Sequence, residues 1–543
     1  MNAIELSIFS SRIEAICEEM GLVLARTSFS PNIKDRLDFS CALFDTAGKL
    51  FAQAAHIPVH LGSMAYAMEG IVGAMDWQPG DMLVLNDPYL GGTHLPDVTL
   101  VAPLFMEQTN ASGSDHELIA FVANRAHHAN IGGDAPGSMP LSTHLEEEGV
   151  VIAPCWILRN GKLQQPTLDL LGEIGDYGDD QNESTTNSDT TLKPEISLNS
   201  LVLADFAAQV STNQTGLARL EAMISDTGIE SFQNGLVELN RYARRLSSSV
   251  LKSLPDGTYR FSDLMDSDGA GTTNIEIVFT LTINDGHIHA DFTGTSPQVP
   301  GNINCPLSVA AAAVYYLFRC LMPDNTPACA GAFDDISITA PEGSLLNARR
   351  PAAVAAGNVE TSSRIVDVVL GALAQAIPDQ IPAASHGSMN NVAMGNRNPN
   401  RGASWDYYET IGGGMGASPS TDGLSAIQTH MTNTLNTPVE SLEAHYPIRI
   451  TRYSIRQGSG GDGQHKGGNG IVREFEFLQD AEITLLTERR TLEPWGLNDG
   501  SAGLIGENQL NSEVLPPKCN RNVGKGDILR VSTPGGGGWG PTR

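Results

Sequence analysis

The chain is 543 residues long and 41% hydrophobic, and this length predicts about three to four packed units. Asp and Glu number 62 against 33 Lys and Arg, which gives a net charge of -29. A chain this acidic repels nucleic acid and anionic membrane surfaces, so both are excluded as partners. The sequence contains no run of 18 apolar residues and therefore predicts no membrane span.

The cysteines and the N-terminus indicate a cytoplasmic protein. The seven cysteines are scattered and include no C-x-x-C pair, which favours a reducing compartment and argues against a thiolate zinc site. Near the start, Ile4, Ile8, Ile13, Ile16 and Met20 recur close to helical spacing. This stretch lacks a basic start and a cleavage site, so we predict an amphipathic helix and no signal peptide.

Residues 1–255 are predicted to form an N-terminal α+β region. After the first helix, four short apolar stretches have the length and composition of strands. They are residues 39–45, 82–87, 98–105 and 117–124. We expect the last two of these strands to pair.

The second half of this region contains an acidic stretch followed by helices. Residues 172–197 carry seven acids, one Lys and few aliphatic side chains. Such a segment cannot offset its ordering entropy by burial, so we predict a mobile surface loop. Residues 198–254 then show helical periodicity.

The rest of the chain is predicted to form two further units. Residues 256–350 have strand periodicity interrupted by turn signals, as in an antiparallel meander, and then an alanine-rich segment after Pro306 typical of a buried helix. Residues 351–543 form a C-terminal α+β region, with a helix at 361–377 and, beyond Pro438, short strands and glycine-rich loops. The predicted fold class is α+β: a multi-unit mixed protein with antiparallel sheets and packed helices.

Familiar catalytic and nucleotide motifs are missing from the sequence. It contains no G-x-x-x-x-G-K-[ST], H-E-x-x-H, G-x-S-x-G or EF-hand loop. The glycines of "GGGMGA" at 412–417 have no adjacent Lys. We therefore favour a tight turn or a close approach of backbones there over a phosphate-binding loop.

Two histidine-containing stretches are the strongest candidates for chemistry. "NDPYLGGTHLPDVTL" contains Asp87, His94 and Asp97, and "NRAHHANIGGD" contains His127 and His128. If the predicted strands pair, imidazoles and a carboxylate converge at one end of the sheet, and the two glycines let the turn fold tightly. Such a mixed nitrogen and oxygen set suits Zn, Mn or Fe. Alternatively, these histidines are polar struts in turns.

Other polar residues admit both a functional and a structural interpretation. His56 and His60 either hydrogen-bond to the ligand side chains or bond to loop backbone. Asn358 and Glu360, in "GNVETSSR", either line a ligand cleft or cap and tie down loops. The sequence leaves these alternatives open.

Long motifs, in order along the chain, are similar to those of the hydantoinase B / oxoprolinase family. The similarity runs from about residue 3 to the C-terminus and leaves out chiefly 106–116 and 172–197. The motifs include "SPNIKDRLDFSCALFD", "NDPYLGGTHLPDVTL", "NRAHHANIGG", "GNVETSSRIVD", "ETIGGGMGA" and "TPGGGGWG". The family contains N-methylhydantoinase B-type subunits and is related to the large subunit of acetone carboxylase.

The resemblance implies an ATP-dependent hydrolase of cyclic amides such as hydantoin or 5-oxoproline. In that family a hydantoinase A component binds ATP and phosphorylates the lactam carbonyl oxygen, and the B component hydrolyses the activated intermediate. The absence of a nucleotide motif agrees with this division. In acetone carboxylase a His-x-x-Asp pair and a later His hold Mn, which carries over to His94, Asp97 and His127, with His128 as the competing choice.

The expected mechanism follows from this resemblance. A divalent metal, Mn or Zn, lowers the pKa of water and orients its attack, and His128 or Asp87 serves as general base or orients a ligand. The alternatives are a subunit of an ATP-dependent ketone carboxylase and a non-catalytic scaffold with a structural metal. The chain is shorter than the large chain of acetone carboxylase, which favours the lactam-hydrolysing branch; the particular substrate stays open.

Overall fold

A computed structural model describes residues 1–54, 57–110, 113–175, 201–397 and 404–542. Almost all of the predicted acidic loop at 172–197 therefore lies outside the described residues. The α-helices are α1 Ala3–Thr27, α2 Pro31–Lys34, α3 His60–Val72, α4 Gln165–Gly175, α5 Leu201–Thr227, α6 Ile229–Leu251, α7 Leu307–Leu321, α8 Ser362–Ala376 and α9 Val439–His445.

The N-terminal region contains a seven-stranded antiparallel sheet. Its strands are β1 Phe39–Phe44, β2 Leu50–Gln53, β3 Met82–Leu85, β4 Asp97–Asn110, β5 Gly113–His127, β6 Cys155–Arg159 and β7 Lys162–Leu163. They lie in the order β2-β1-β5-β4-β3-β6-β7. The pairing of the two strands expected around 98–105 and 117–124 is confirmed as β4 with β5.

The apolar runs of this sheet are explained by burial on both faces. Along β1, Cys41 and Leu43 belong to a hydrophobic cluster that includes α1 residues, whereas Ala42 and Phe44 belong to another that includes α3 residues. Side chains alternate between the faces of a strand. Helices therefore cover both faces, and the end of the sheet where β4 begins and β5 ends lies inside the protein.

Three further sheets follow along the chain. Their strands are β8 Gly257–Ser267, β9 Thr273–Asn284, β10 His287–Asp291, β11 Ile336–Thr339, β12 Asn391–Asn396, β13 Trp405–Glu409, β14 Ile448–Arg456, β15 Gly470–Phe477, β16 Ala481–Leu486, β17 Glu507–Leu510, β18 Glu513–Leu515, β19 Lys518–Val523 and β20 Ile528–Ser532. The strand orders are β11-β10-β9-β8, β13-β12-β16-β19 and β14-β15-β20-β17-β18. The α+β class with antiparallel sheets and packed helices is confirmed.

The sheets and the core divide the chain differently. Each sheet takes its strands from one of the predicted ranges 1–255, 256–350 and 351–543. The largest hydrophobic cluster includes buried residues from all three ranges, among them Met20, Val309 and Leu373. The division into three units stays a prediction.

The glycines of the C-terminal region allow backbones to touch. A Cβ on Gly414 would lie 1.9 Å from the carbonyl oxygen of Gly468, and a Cβ on Gly536 would lie 2.1 Å from that of Met415. The expected close approach of backbones at "GGGMGA" is confirmed. Within the described ranges, no helix is both long enough and apolar enough to cross a membrane.

Candidate metal centre

Asp97 and His127 are brought together by the register of the β4–β5 pair. Asp97 is the first residue of β4, His127 is the last of β5, and the two are directly opposite each other. Side chains of residues paired in this way stand on the same face of a sheet. The Oδ1 atom of Asp97 lies 3.2 Å from Nδ1 of His127, and both side chains are buried.

His94 reaches the same point from the turn that precedes β4. Gly91 has a φ of 90°, and a Cβ on Gly92 would lie 2.7 Å from the carbonyl oxygen of Asp87. The turn thus has the tightness expected from its two glycines. His94 Nε2 lies 3.2 Å from His127 Nδ1 and 3.2 Å from Asp97 Oδ1.

These three atoms are the potential metal ligands of the centre. They lie within 4.8 Å of one another. On the other side of the His94 ring, Nδ1 lies 3.1 Å from the carbonyl oxygen of Ala355. Because a carbonyl only accepts, Nδ1 carries the hydrogen, and Nε2 of the neutral ring presents a lone pair to Asp97. A proton or a cation between these atoms satisfies them, and two imidazole nitrogens with one carboxylate oxygen are a donor set that fits a divalent metal.

Asp97 is held by a ring of donors through its second oxygen. Oδ2 accepts hydrogen bonds from Thr93 Oγ1, from His60 Nε2 at 3.3 Å and from Asn358 Nδ2 at 3.3 Å. His60 therefore contacts a candidate ligand. Of its two expected roles, a bond to a ligand side chain or to loop backbone, the structure shows the first. The corresponding expectation for His56 lies outside the described residues.

The electrostatics of Asp97 and His127 suit metal binding, and the Asp97 carboxylate also acts on His94. Burial works to raise the pKa of Asp97, but His94 and His60 hold it well below its usual range. Burial works to lower the pKa of His94, but the Asp97 charge and the hydrogen bonds to Asp97 and Ala355 together outweigh burial and leave this pKa raised. Burial lowers the pKa of His127, and its hydrogen bond to Asp97 offsets part of this effect. Asp97 is thus a carboxylate and His127 a neutral imidazole, the forms that bind metals.

A small cavity adjoins the three side chains. Its volume is about 20 Å³, and its walls include Asp38, Asn358, Tyr408 and Thr410. The ring of Tyr408 stacks on His127 with 5.1 Å between centroids. Such a cavity holds about one water-sized body.

Sequence reasoning did not select Asp38 or Tyr408. Asp38 comes directly before β1, within the motif "SPNIKDRLDFSCALFD", and its backbone oxygen accepts from His127 N at 3.0 Å. A carboxylate directly before a strand was the available signal. Tyr408 lies far along the chain, and nothing in the residues around it predicted that its ring stacks on His127.

The structure does not bring His128 and Asp87, the two expected catalytic residues, to the cavity. His128 packs against Phe206 at 4.3 Å between ring centroids, and its Nε2 lies 2.9 Å from Gln209 Oε1. It follows the last residue of β5, and successive side chains point to opposite faces. Asp87 accepts from the backbone N–H of Tyr89 at 3.0 Å and pairs with Arg350.

The fold and this centre define a mixed α+β protein with a buried His–Asp–His group at one end of two central strands of a sheet. The sequence model of the hydantoinase B/oxoprolinase family matches residues 2–542. The chain belongs to the hydantoinase B/oxoprolinase family, as its motifs had indicated.

Relatives and a solved structure agree with this assignment. The chain is 39% identical to 5-oxoprolinase 1 of Arabidopsis thaliana over 99% of its own length and 42% of that protein. It thus spans about two-fifths of that relative. It is 31% identical to the putative B subunit of a D-/L-hydantoinase from Pseudomonas sp., covering 99% and 90% of the two chains. The crystal structure of ATP-dependent caprolactamase from Pseudomonas jessenii matches with a TM-score of 0.87 and 25% identity, covering 100% of this chain and 91% of that one.

Proposed function

We propose that this chain is the hydrolytic B component of an ATP-dependent hydrolase of cyclic amides, with a ring of the hydantoin or 5-oxoproline type. The support is family membership together with relatives named as a 5-oxoprolinase, the putative B subunit of a hydantoinase and an ATP-dependent caprolactamase. The single structural observation that carries the proposal is the convergence of His94 Nε2, His127 Nδ1 and Asp97 Oδ1.

ATP is used through a partner in this account. The sequence lacks a nucleotide-binding motif, and the chain spans about two-fifths of the Arabidopsis relative. The partner is a hydantoinase A-type subunit that binds ATP and phosphorylates the lactam carbonyl oxygen. Phosphorylation makes the carbon of a resonance-stabilised amide electrophilic. The assembly is therefore a hetero-oligomer.

His94, Asp97 and His127 are the proposed ligands of a divalent metal, Mn or Zn. A bound metal would supply Lewis acidity, which would lower the pKa of its water to near neutrality. The chain's own contribution is to hold the two imidazoles and the carboxylate in fixed orientations. Ala355 orients His94, and Tyr408 packs on His127. Asn358 and His60 hold the second oxygen of Asp97.

Asp38 replaces His128 and Asp87 as the proposed proton acceptor. It is the carboxylate of the cavity wall that does not belong to the ligand group. In the proposed step, water bonds to the activated carbonyl carbon and gives a proton to Asp38, and the carbon–nitrogen bond of the ring breaks. The ring nitrogen leaves as the amine after taking up a proton, and a second water releases phosphate from the resulting acyl phosphate. General bases of this kind contribute about 10²- to 10⁴-fold to rate.

The cavity volume adds a requirement for movement. At about 20 Å³ it is far smaller than the roughly 300–1,000 Å³ of ordinary ligand sites. A five-membered ring is therefore admitted only when the cavity walls move apart. Loops and segments that close over substrate and exclude water are common in hydrolytic sites.

The test combines the purified chain with its ATP-binding partner and supplies 5-oxoproline or hydantoin. We expect one phosphate released for each ring opened and no ring opening without ATP. Ring opening in the absence of ATP would contradict the proposal. Bicarbonate-dependent ATP turnover with a ketone would instead support the carboxylase alternative.

The variant His94→Ala distinguishes a catalytic metal from the scaffold alternative, in which the metal is structural. A catalytic metal predicts an assembled complex that is soluble and inactive. A purely structural metal predicts that solubility or assembly is lost together with activity. The expected cytoplasmic location stays a prediction.

A further inference from the structure

Glu148 is a buried carboxylate with an uneven distribution of hydrogen bonds. Its Oε1 atom accepts from Ser142 Oγ at 2.7 Å and from the backbone N–H groups of Val354 and Ala355, each at 2.8 Å. Among the described residues, its Oε2 atom has no hydrogen-bond partner. One oxygen thus gathers two consecutive N–H groups from a segment more than 200 residues away in sequence.

The backbone of Ala355 joins Glu148 to the candidate metal centre. Its N–H group points to Glu148, and its carbonyl oxygen accepts from His94 Nδ1 at 3.1 Å. The ring orientation and tautomer of His94 therefore depend on where this backbone lies. Groups that accept from the far nitrogen of a metal-binding histidine commonly fix its orientation.

A second contact shows that the two segments are docked along their length. His144 and Ala352 form an isolated antiparallel bridge, and the N–H of Leu145 donates to the carbonyl oxygen of Pro351 at 3.0 Å. The beginning of the 351–355 segment is thus held by these backbone bonds, together with side-chain bonds from Tyr89 to the Ala352 carbonyl and from Asn304 to the Ala353 carbonyl. The end of the segment, where His94 makes its contact, is held by the Glu148 side chain.

We propose that Glu148 is a positioning residue for the metal centre: it fixes the 354–355 backbone so that the Ala355 carbonyl orients His94 toward Asp97 and His127. The inference rests on the proposed metal centre and deepens it. Removal of the carboxylate leaves two buried N–H groups without an acceptor, and such groups shift until they find one. The Ala355 carbonyl moves with them, and His94 loses its fixed orientation.

The variant series separates positioning from general loosening. Glu148→Ala removes the acceptor, and Glu148→Gln retains an oxygen at the same position. The matched control is Tyr89→Phe, which deletes a hydroxyl bonded to the carbonyl of Ala352 at 2.7 Å and so loosens the same segment away from His94. Each full-length variant is titrated with Zn²⁺ against a chelating dye, and its Co²⁺ form is examined by visible absorption.

We expect Glu148→Ala to bind Zn²⁺ about 10- to 100-fold more weakly than the natural chain, with an altered Co²⁺ spectrum and a retained fold by circular dichroism. Glu148→Gln and Tyr89→Phe are expected to stay within about threefold of it. Equal weakening by Tyr89→Phe, or unchanged binding by folded Glu148→Ala, would overturn the inference. If Glu148→Ala does not fold, Ser142→Ala takes its place, with a loss of about two- to fivefold expected and unchanged affinity as the contrary result.

These outcomes are distinct from those of the proposed function. Natural chain that binds Zn²⁺ but opens no lactam ring with its partner would refute the hydrolase proposal and leave the positioning role intact. Natural chain that binds none of Zn²⁺, Mn²⁺ and Co²⁺ would overturn the positioning role.

Discussion

Asp97 and His127 face each other across the first pair of β4 and β5, with 3.2 Å between a carboxylate oxygen and an imidazole nitrogen. The relationship follows from strand register, because paired residues share a face of the sheet. A one-residue slip of either strand would send one of these side chains to the opposite face. The buried apolar residues on both faces of the sheet thus stabilise the register on which the centre depends.

Gly91→Ala is expected to weaken metal binding, because it distorts the turn that positions His94. The residue has a φ of 90°, and a Cβ there would lie 2.5 Å from backbone atoms of Ala67. We expect a loss of about 1–3 kcal/mol in the free energy of unfolding and about tenfold weaker Zn²⁺ binding. Chemical denaturation and dye competition measure the two effects.

The matched control for this change is Gly70→Ala in α3. Among the described atoms, nothing lies within 4 Å of a Cβ built at Gly70. A helical Ala is about 0.5–1 kcal/mol more favourable than Gly, so this variant should gain stability and keep its affinity. Loss of Zn²⁺ binding in both variants would refute the explanation from the turn.

Asp38→Asn tests the proposed proton acceptor. Ring opening by the assembled complex is expected to slow by about 10²- to 10⁴-fold while metal content stays unchanged. Asp35→Asn, in the same loop but away from the cavity wall, should keep its activity. An equal loss in both variants, or a loss of metal from Asp38→Asn, would rule out this role.

Two of the contacts of Tyr408 can be removed separately. Its ring stacks on His127, and its hydroxyl donates to Asn391 Oδ1 at 2.6 Å. Tyr408→Phe should lose about 1–3 kcal/mol of stability, since a buried acceptor is left unpaired, and should still bind Zn²⁺. Tyr408→Leu should also bind Zn²⁺ more weakly, and equal binding by the two variants would argue against a role for the stacked ring.

The raised pKa of Glu360 predicts that stability depends on pH. Burial raises its pKa from 4.5 to about 7, and Lys518 and Glu488 act on it in opposite directions. The folded state then keeps a proton that the unfolded state releases, so the free energy of unfolding falls as pH rises from about 4.5 to about 7. This contribution is on the order of 1–3 kcal/mol.

Glu360→Gln should remove this contribution. Its free energy of unfolding, measured by urea denaturation between pH 5 and pH 8, is expected to fall less than that of the natural chain. The exposed Glu146→Gln serves as the control for loss of one negative charge. An identical decline in Glu360→Gln and the natural chain would show that Glu360 does not titrate in this range.

The candidate ligand group could be predicted from sequence because the convergence of its side chains depends on local features and because the family resemblance indicated the same residues. Strand periodicity predicted β4 and β5, and two glycines predicted the tight turn before Asp97. The support around these side chains was only partly accessible in this way: a place beside the candidate ligands was one of the two interpretations of His60, and a ligand cleft was one of those of Asn358. Ala355 and Asn358 come from a segment about 260 residues further along the chain. Contacts of this kind arise from tertiary packing, and periodicity carries no information about them.

The choice between neighbouring polar residues also required the structure. His127 and His128 are adjacent in sequence, and only the end of β5 at His127 decides which ring faces Asp97. Asp87 lies seven residues before His94, but its side chain accepts from the backbone N–H of Tyr89 and pairs with Arg350. Polar residues in turns often serve the backbone around them.

Metal content per chain tests the central claim most directly. The purified natural chain, loaded with Mn²⁺ or Zn²⁺ and freed of excess ion, is expected to hold about one ion by elemental analysis. Folded Asp97→Asn, which keeps the shape of the side chain but removes its charge, should hold less than about a tenth as much. A natural chain that holds neither ion, or an Asp97→Asn chain that holds as much as the natural one, would contradict the account.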